Sequence, residues 1–200
     1  MTGAAGPRLS DRQRLNWLRL IRTPNIGPAS FRDLINRFGS AETAIEMLPD
    51  LMQAGGARRM ARVPSPAEAE AEMETAQRFG ARFVCIGEPD YPPILRRMDN
   101  PPPVLAVKGS SAVFASPCVA IVGARNASLA GIKMARGLAT DLGRDGYCIV
   151  SGLARGIDTA AHQGSLATGT IGVLAGGLDH PYPPENAGLC EEIAQSGGVI

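Results

Sequence analysis

Apolar positions recur at helical spacing in the first part of the chain and become short unbroken apolar runs in the second half. From Asp11 onward, Leu15, Leu18 and Ile21 share one face, which predicts a helix. Thr23-Pro24-Asn25-Ile26-Gly27-Pro28 breaks it. Phe31, Leu34, Ile35 and Phe38, at i, i+3, i+4 and i+7, predict a second helix. Gly39 ends that helix, and Ser40 is placed to cap a third over 41–51. Gly55-Gly56 predicts a break. Ser65-Pro66-Ala67-Glu68 is a capping box with proline at the first helical position, and the helix it opens runs to Phe79 and stops at Gly80. Residues 82–86 and 104–107 read as strands. Between them lie Tyr91-Pro92-Pro93 and Pro101-Pro102-Pro103, which read as extended connectors.

After Pro117 strands and helices alternate. The strands are 118–122, 147–150, 170–174 and an unfinished one at Val199-Ile200; the helices are 129–142, 157–167 and 185–195. The strands are continuously apolar, as a parallel sheet covered on both faces requires. A βαβαβαβ order predicts an α/β fold: a Rossmann-like, doubly wound parallel sheet preceded by a small all-helical domain. The expected division is a disordered 1–10, a helical module 11–62, a connecting helix and strands 63–116, and a Rossmann-like core 117–200. The chain stops as a strand begins, where an open sheet does not normally end, so the core is expected to be incomplete at its C-terminus.

Composition narrows the chemistry. Of 200 residues, 44% are hydrophobic and 20% charged, an ordinary globular balance, but only 4% are aromatic, so Ala, Val, Ile and Leu must fill the core. The formal net charge of +1 rules out a whole-chain basic field. Residues 1–62 hold ten arginines against five acids, whereas 63–116 and 117–200 each hold five basic residues against seven acidic ones. A polyanion site in the second half must therefore work by placed single charges. Cys85, Cys118, Cys148 and Cys190 show no C-x-x-C spacing and read as buried reduced thiols. His162 and His180 have no ligand spacing, and neither a metal nor a cofactor is expected. The N-terminus carries no apolar stretch, and no apolar run approaches the roughly 18–20 residues of a membrane span, so a cytoplasmic protein is expected.

The candidate site lies at three strand ends. The first strand runs into Gly123-Ala124-Arg125-Asn126-Ala127-Ser128 and a helix. Glycine admits close approach, the helix N-terminus offers free N–H groups, and Arg125 adds a planar fork for phosphate. Ser128 serves either phosphate or the helix cap. The second strand runs into Ser151-Gly152-Leu153-Ala154-Arg155-Gly156-Ile157-Asp158, then Ala161-His162. Neighbouring strands would bring Arg125 and Arg155 to one rim. Asp158 and His162, four apart on one helix, can pair; ligand contact and a purely structural bond both remain open for them. The third strand runs into Ala175-Gly176-Gly177-Leu178-Asp179, followed by Tyr182-Pro183 and Asn186, which bonds a ligand or caps a helix. Three glycine-rich strand ends, two with an arginine, read as a site for an extended or multi-phosphate anion rather than as a stability requirement. The pattern is not G-x-G-x-x-G, and no acid follows the second strand at the dinucleotide position, so a dinucleotide reading is weak.

These residues resemble a known family. Val119-Ala-Ile-Val-Gly-Ala-Arg125, Ser151-Gly-Leu-Ala-Arg-Gly-Ile-Asp158, Ala161-His162 and Gly177-Leu-Asp179 with Tyr182-Pro183 and Asn186 are similar to the DNA-processing protein A (DprA/Smf) family. Asp90-Tyr91-Pro92, Leu95 and Pro102-Pro103-Val104-Leu105 fit the lead-in to its core, and the similarity runs from about Leu15 to the end. The resemblance implies an extended Rossmann fold, single-stranded DNA binding, delivery of the strand to the RecA recombinase in natural transformation, and a homodimer through the core domain. It implies that Arg125 and Arg155 hold the DNA backbone; the reading of the strand ends adds Gly123, Ser128, Ser151, Gly152, Gly156, Asp158, His162, Gly177 and Asn186 as the expected remainder of the DNA site, with no catalytic residue. Ala124 departs from the Ser or Thr usual in the family, and the chain ends before the family's later Arg-Asn segment. Asn25-Ile-Gly-Pro-Ala-Ser30 resembles a helix-hairpin-helix or SAM-like module; Ala29 replaces its second glycine, so a protein-interaction or spacer role is expected. The alternatives are a nucleoside-monophosphate-cleaving enzyme of the lysine-decarboxylase-like group, whose P-G-G-x-G-T-x-x-E signature has no glutamate in register here, and a scaffold whose helical module binds the DNA.

Overall fold

The computed structural model describes residues 6–54 and 62–200; the break expected at Gly55-Gly56 and residues 1–5 of the expected disordered stretch lie outside them. The chain divides into two compact units, Met1–Thr75 with Phe83–Leu105, and Ala76–Arg82 with Ala106–Ile200.

In the first unit the expected helices form as α1 (Asp11–Ile21), α2 (Pro28–Phe38), α3 (Ala41–Ala54) and α4 (Pro66–Arg78). Each boundary has a local cause. Ser10 and Gln13 form a capping box on α1, Pro28 opens α2, and Gly39 closes it at φ 77°. Ser40 Oγ accepts from Thr43 N at 3.1 Å, and Ser65 and Glu68 cap each other through 2.9 and 3.2 Å bonds. Leu20, Phe31, Ala41, Ala44 and Leu48 make the buried core, with Trp17 edge-on to Phe31 at 5.0 Å.

Two features of this unit lie beyond what composition shows. Residues 6–10 are tied down: Gly6 N donates to Gly87 O at 2.7 Å, and Leu9 N to Glu88 Oε1 at 2.9 Å. Small polar composition conceals backbone partners that are distant in sequence. The arginine excess is also largely matched by acids, as Arg8–Asp90, Arg12–Glu42, Arg14–Glu88, Arg22–Glu72 and Arg62–Glu68.

The strands are β1 (Ala81–Cys85), β2 (Val104–Gly109), β3 (Cys118–Ala120), β4 (Cys148–Ser151), β5 (Thr170–Gly172) and β6 (Gly198–Val199), in the sheet order β1-β2-β6-β5-β4-β3. β3, β4, β5 and β6 are parallel, with Cys118 opposite Cys148, Ile149 opposite Thr170 and Ile171 opposite Gly198. β2 joins β6 antiparallel, Lys108 facing Val199, so the expected parallel sheet is in fact mixed.

The connecting helices of the second unit are α5 (Leu129–Arg144), α6 (Ile157–Ser165) and α7 (Ala187–Ser196); a single turn at Pro184–Asn186 precedes α7. Small residues let α5 and α6 pack closely: Ala139 and Ala161 are fully buried with Ile149, and a Cβ on Gly164 would stand 2.5 Å from the Arg136 carbonyl. This close packing explains how a core forms with so few aromatics. All four cysteines are free, and burial pushes the Cys85 and Cys148 thiols up to about 12. Among the described residues no helix is long and apolar enough to cross a membrane.

Candidate nucleic-acid interface

Parallel register puts the carboxyl ends of β3, β4 and β5 at one edge of the sheet, where ligands of open α/β sheets bind. A cleft of about 350 Å³ opens there. Arg125 and Asn126 line it from the loop after β3, and Gly152, Ala154 and Arg155 from the loop after β4. The segment after β5 contributes Leu174 to Gly177, His180, Tyr182 and Pro183. The two arginines expected on one rim therefore share one cleft. Both are exposed. Arg155 Nη2 donates to Glu185 Oε1 at 2.8 Å, an exposed pair that a competing anion breaks at small cost.

The glycines of the first two loops serve packing, which corrects the expectation that they are no stability requirement. Gly156 has φ +76°, and a Cβ there would stand 2.3 Å from the Ala124 carbonyl oxygen and 2.7 Å from that of Arg125. The two loops thus meet backbone to backbone, and Ile157 N donates to Ala124 O at 3.3 Å. A Cβ on Gly123 would press into Ile157, and one on Gly152 would reach Asp158 Oδ2 at 3.0 Å. Gly176 differs, with no atom within 4 Å of its Cβ position. At Gly177 an added Cβ meets the Asp179 side chain.

Five of the expected contacts have other employment. Ser128 Oγ accepts from Gly131 N at 3.2 Å and caps α5. Ser151 is buried, and its hydroxyl donates to Ile121 O at 2.6 Å, joining the ends of β4 and β3. Asn186 is buried, and its amide donates to Leu153 O at 2.7 Å and Thr159 Oγ1 at 2.9 Å. Asp158 and His162 do not hydrogen-bond each other. The Asp158 carboxylate accepts from Gly123, Gly152 and Ala154 N–H groups. His162 is fully buried, with Nδ1 2.7 Å from Thr170 Oγ1, which donates to Ile149 O. Ser151, Asp158, His162 and Asn186 are buried in the fold, Ser128 caps its helix at the surface, and none of the five lines the cleft.

Burial pushes His162 down to about 4 from its ordinary 6.5, with the Asp158 charge pulling partly back. The unfolded chain therefore binds a proton that the folded one refuses between those values, so stability rises with pH across that window. His162 contributes no penalty above about pH 6.5 and about 3 kcal/mol of destabilisation by pH 4. Urea unfolding at pH 7 and pH 4 will show this as a steeper acid loss for the wild type than for His162→Gln. Identical losses would refute it.

Three neighbours of the site have roles that the sequence reading did not assign. Leu153 sits at φ 58° with its side chain 1% exposed, anchoring the second loop in a conformation that branched or bulky residues rarely adopt. Glu185 gave no signal, because its partner Arg155 is thirty residues away. Tyr182 is 67% exposed on the cleft; its aromatic ring was visible in sequence, but its exposure was not.

Known proteins resemble this chain in sequence and in fold. Residues 82–200 match the family described as DNA recombination-mediator protein A, and residues 11–75 match the DprA-like N-terminal HHH domain. The DNA processing protein DprA of Bacillus subtilis is 40% identical over 119 residues, covering 58% of this chain and 40% of that protein. Protein Smf of Synechocystis is 31% identical over 204 residues, covering 96% of this chain and 51% of its own. The chain thus spans about half or less of the length of these curated relatives. The X-ray structure of DprA from Streptococcus pneumoniae superposes with a TM-score of 0.70 at 26% identity, over 96% of this chain and 67% of that one. A Helicobacter pylori DNA processing protein A, described for its single-stranded DNA binding mode, gives 0.54 at 30% identity, over 60% of this chain and 54% of that one. With a family match across most of the second unit and another across the helical module, this chain belongs to the DNA-processing protein A (DprA/Smf) family.

Proposed function

We propose that this chain binds single-stranded DNA by its phosphates along the cleft at the β3, β4 and β5 ends, with Arg125 and Arg155 as the two placed cations. The observation that carries this is that arginines from two different strand ends line one cleft, whose third wall includes the open position at Gly176. The similarity to the Helicobacter pylori protein supports DNA as the polyanion. Tyr182 supports the preference for single strands: an exposed ring stacks on an unpaired base, and a duplex offers no such face. The whole protein, in this reading, is cytoplasmic, delivers the strand to the RecA recombinase during natural transformation, and works as a homodimer through its core domain. It performs no catalysis of its own.

Fluorescence anisotropy with labelled single- and double-stranded oligonucleotides at two salt concentrations tests the site. Each arginine makes a charge-assisted contact, so Arg125→Ala/Arg155→Ala weakens single-strand binding about a hundredfold. Losing two phosphate contacts also lowers the log–log salt slope by about 1.4. Tyr182→Ala narrows the gap between single and double strands. Full affinity in the double variant would move DNA contact to the helical module.

A further inference from the structure

We infer that Asp158 is a specificity-determining residue: its carboxylate is a built-in anion that fills the phosphate seat of the crevice and turns free phosphate and mononucleotides away. In open α/β sheets the turn between a strand end and the next helix draws an anion onto its free N–H groups. Here those groups belong to Gly123 at the end of β3 and to Gly152 and Ala154 after β4. All three donate to Asp158, at 3.4 Å to Oδ1 and at 3.1 and 3.4 Å to Oδ2. Asp158 stands in the first turn of α6, where the helix dipole favours a negative charge, and is 6% exposed. Gly152 and Ala154 line the cleft, yet Asp158 does not, so the carboxylate lies beneath the cleft floor and draws their N–H groups away from it.

The consequence is a division between seat and rim. A single phosphate needs convergent N–H donors to compensate its desolvation, and those donors are taken. What faces the cleft is a pair of side-chain cations on separate loops, Arg125 and Arg155. Separate cations suit a run of phosphates better than one. The seat is also tight: the Cβ position of Gly152 is already 3.0 Å from Asp158 Oδ2. This inference concerns the seat and holds whether or not DNA is the polymer on the rim.

The test is Asp158→Ala in the full chain, probed with inorganic phosphate against chloride at equal ionic strength. The wild type melts at the same temperature in both. Asp158→Ala melts lower in chloride and recovers by about 5 °C in phosphate, because the emptied seat now binds the ion in the folded state only. Asp158→Asn, which refills the seat with a neutral amide, melts lower than the wild type and ignores phosphate. A merely structural carboxylate would give no phosphate-specific recovery in the alanine variant, and that result overturns the inference. Equal phosphate stabilisation of the wild type overturns it as well. Should Asp158→Ala fail to fold in chloride, its refolding yield in phosphate reads the same quantity, and a yield indifferent to phosphate counts against the proposal.

Discussion

Gly156→Ala lowers the unfolding free energy by about 4 kcal/mol and removes with it the single-strand binding proposed for the cleft. Two effects combine. At φ +76° and ψ −116° an L side chain is strained, at about 1–2 kcal/mol or more. The new methyl would then sit 2.3 Å from the Ala124 carbonyl oxygen, forcing the first loop off the second, and overpacking of this kind costs about 1–3 kcal/mol. Parting the loops separates Arg125 from Arg155, since each arginine stands beside this contact. Gly176→Ala is the control, because nothing lies within 4 Å of its Cβ position. Urea midpoints and anisotropy on both variants check the claim. If Gly156→Ala matches Gly176→Ala in stability, the loop-to-loop contact is not what organises the cleft.

How much of this was legible in the sequence depends on how far apart the interacting residues lie. The helices were readable because their causes are local: the capping box at Ser65 to Glu68 and the stop at Gly39 each sit within a few residues of what they terminate. The strand ends were readable for the same reason, and with them the positions of Arg125 and Arg155. The turn of β2 against β6 was not, because antiparallel pairing of Lys108 with Val199 spans most of the second unit. The glycines were legible as a pattern and misread as a cause. Gly123, Gly152 and Gly156 spare their neighbours a collision, while Gly176 in the third loop faces open space. Asp158, His162 and Asn186 were legible as special residues, but sequence spacing does not tell inward from outward. His162 faces Thr170 from the next strand, and Asn186 reaches back to Leu153. The partners of the N-terminal arginines were not legible, because composition counts charges and not their partners.

One of those arginines sets the other large expected effect. Glu88→Gln destabilises the protein by about 3–5 kcal/mol, the usual penalty for breaking a buried ion pair from one side. Glu88 is 2% exposed and accepts four hydrogen bonds. Arg14 grips it with both guanidinium arms, Nη1 to Oε2 at 2.7 Å and Nη2 to Oε1 at 2.9 Å. Leu9 N and Cys85 N supply the others at 2.9 and 2.7 Å. One carboxylate thus ties the N-terminal segment, α1 and β1 together. Glutamine keeps the shape but turns an NH2 toward donors, leaving buried N–H groups unmet and the Arg14 charge uncompensated. The same bonds set the acid response. Burial alone pushes the Glu88 carboxyl up, but Arg14 and the two backbone N–H groups outweigh it and hold the carboxyl below its ordinary 4.5. A depressed carboxyl contributes stability that is complete above its unfolded value and disappears as pH falls through the folded one. Urea unfolding followed by circular dichroism at pH 7 will therefore show a large drop in midpoint for Glu88→Gln. Below pH 4.5 the gap between variant and wild type should close as the wild type protonates. A gap that stays constant with pH would mean that the carboxylate charge is not what Arg14 holds.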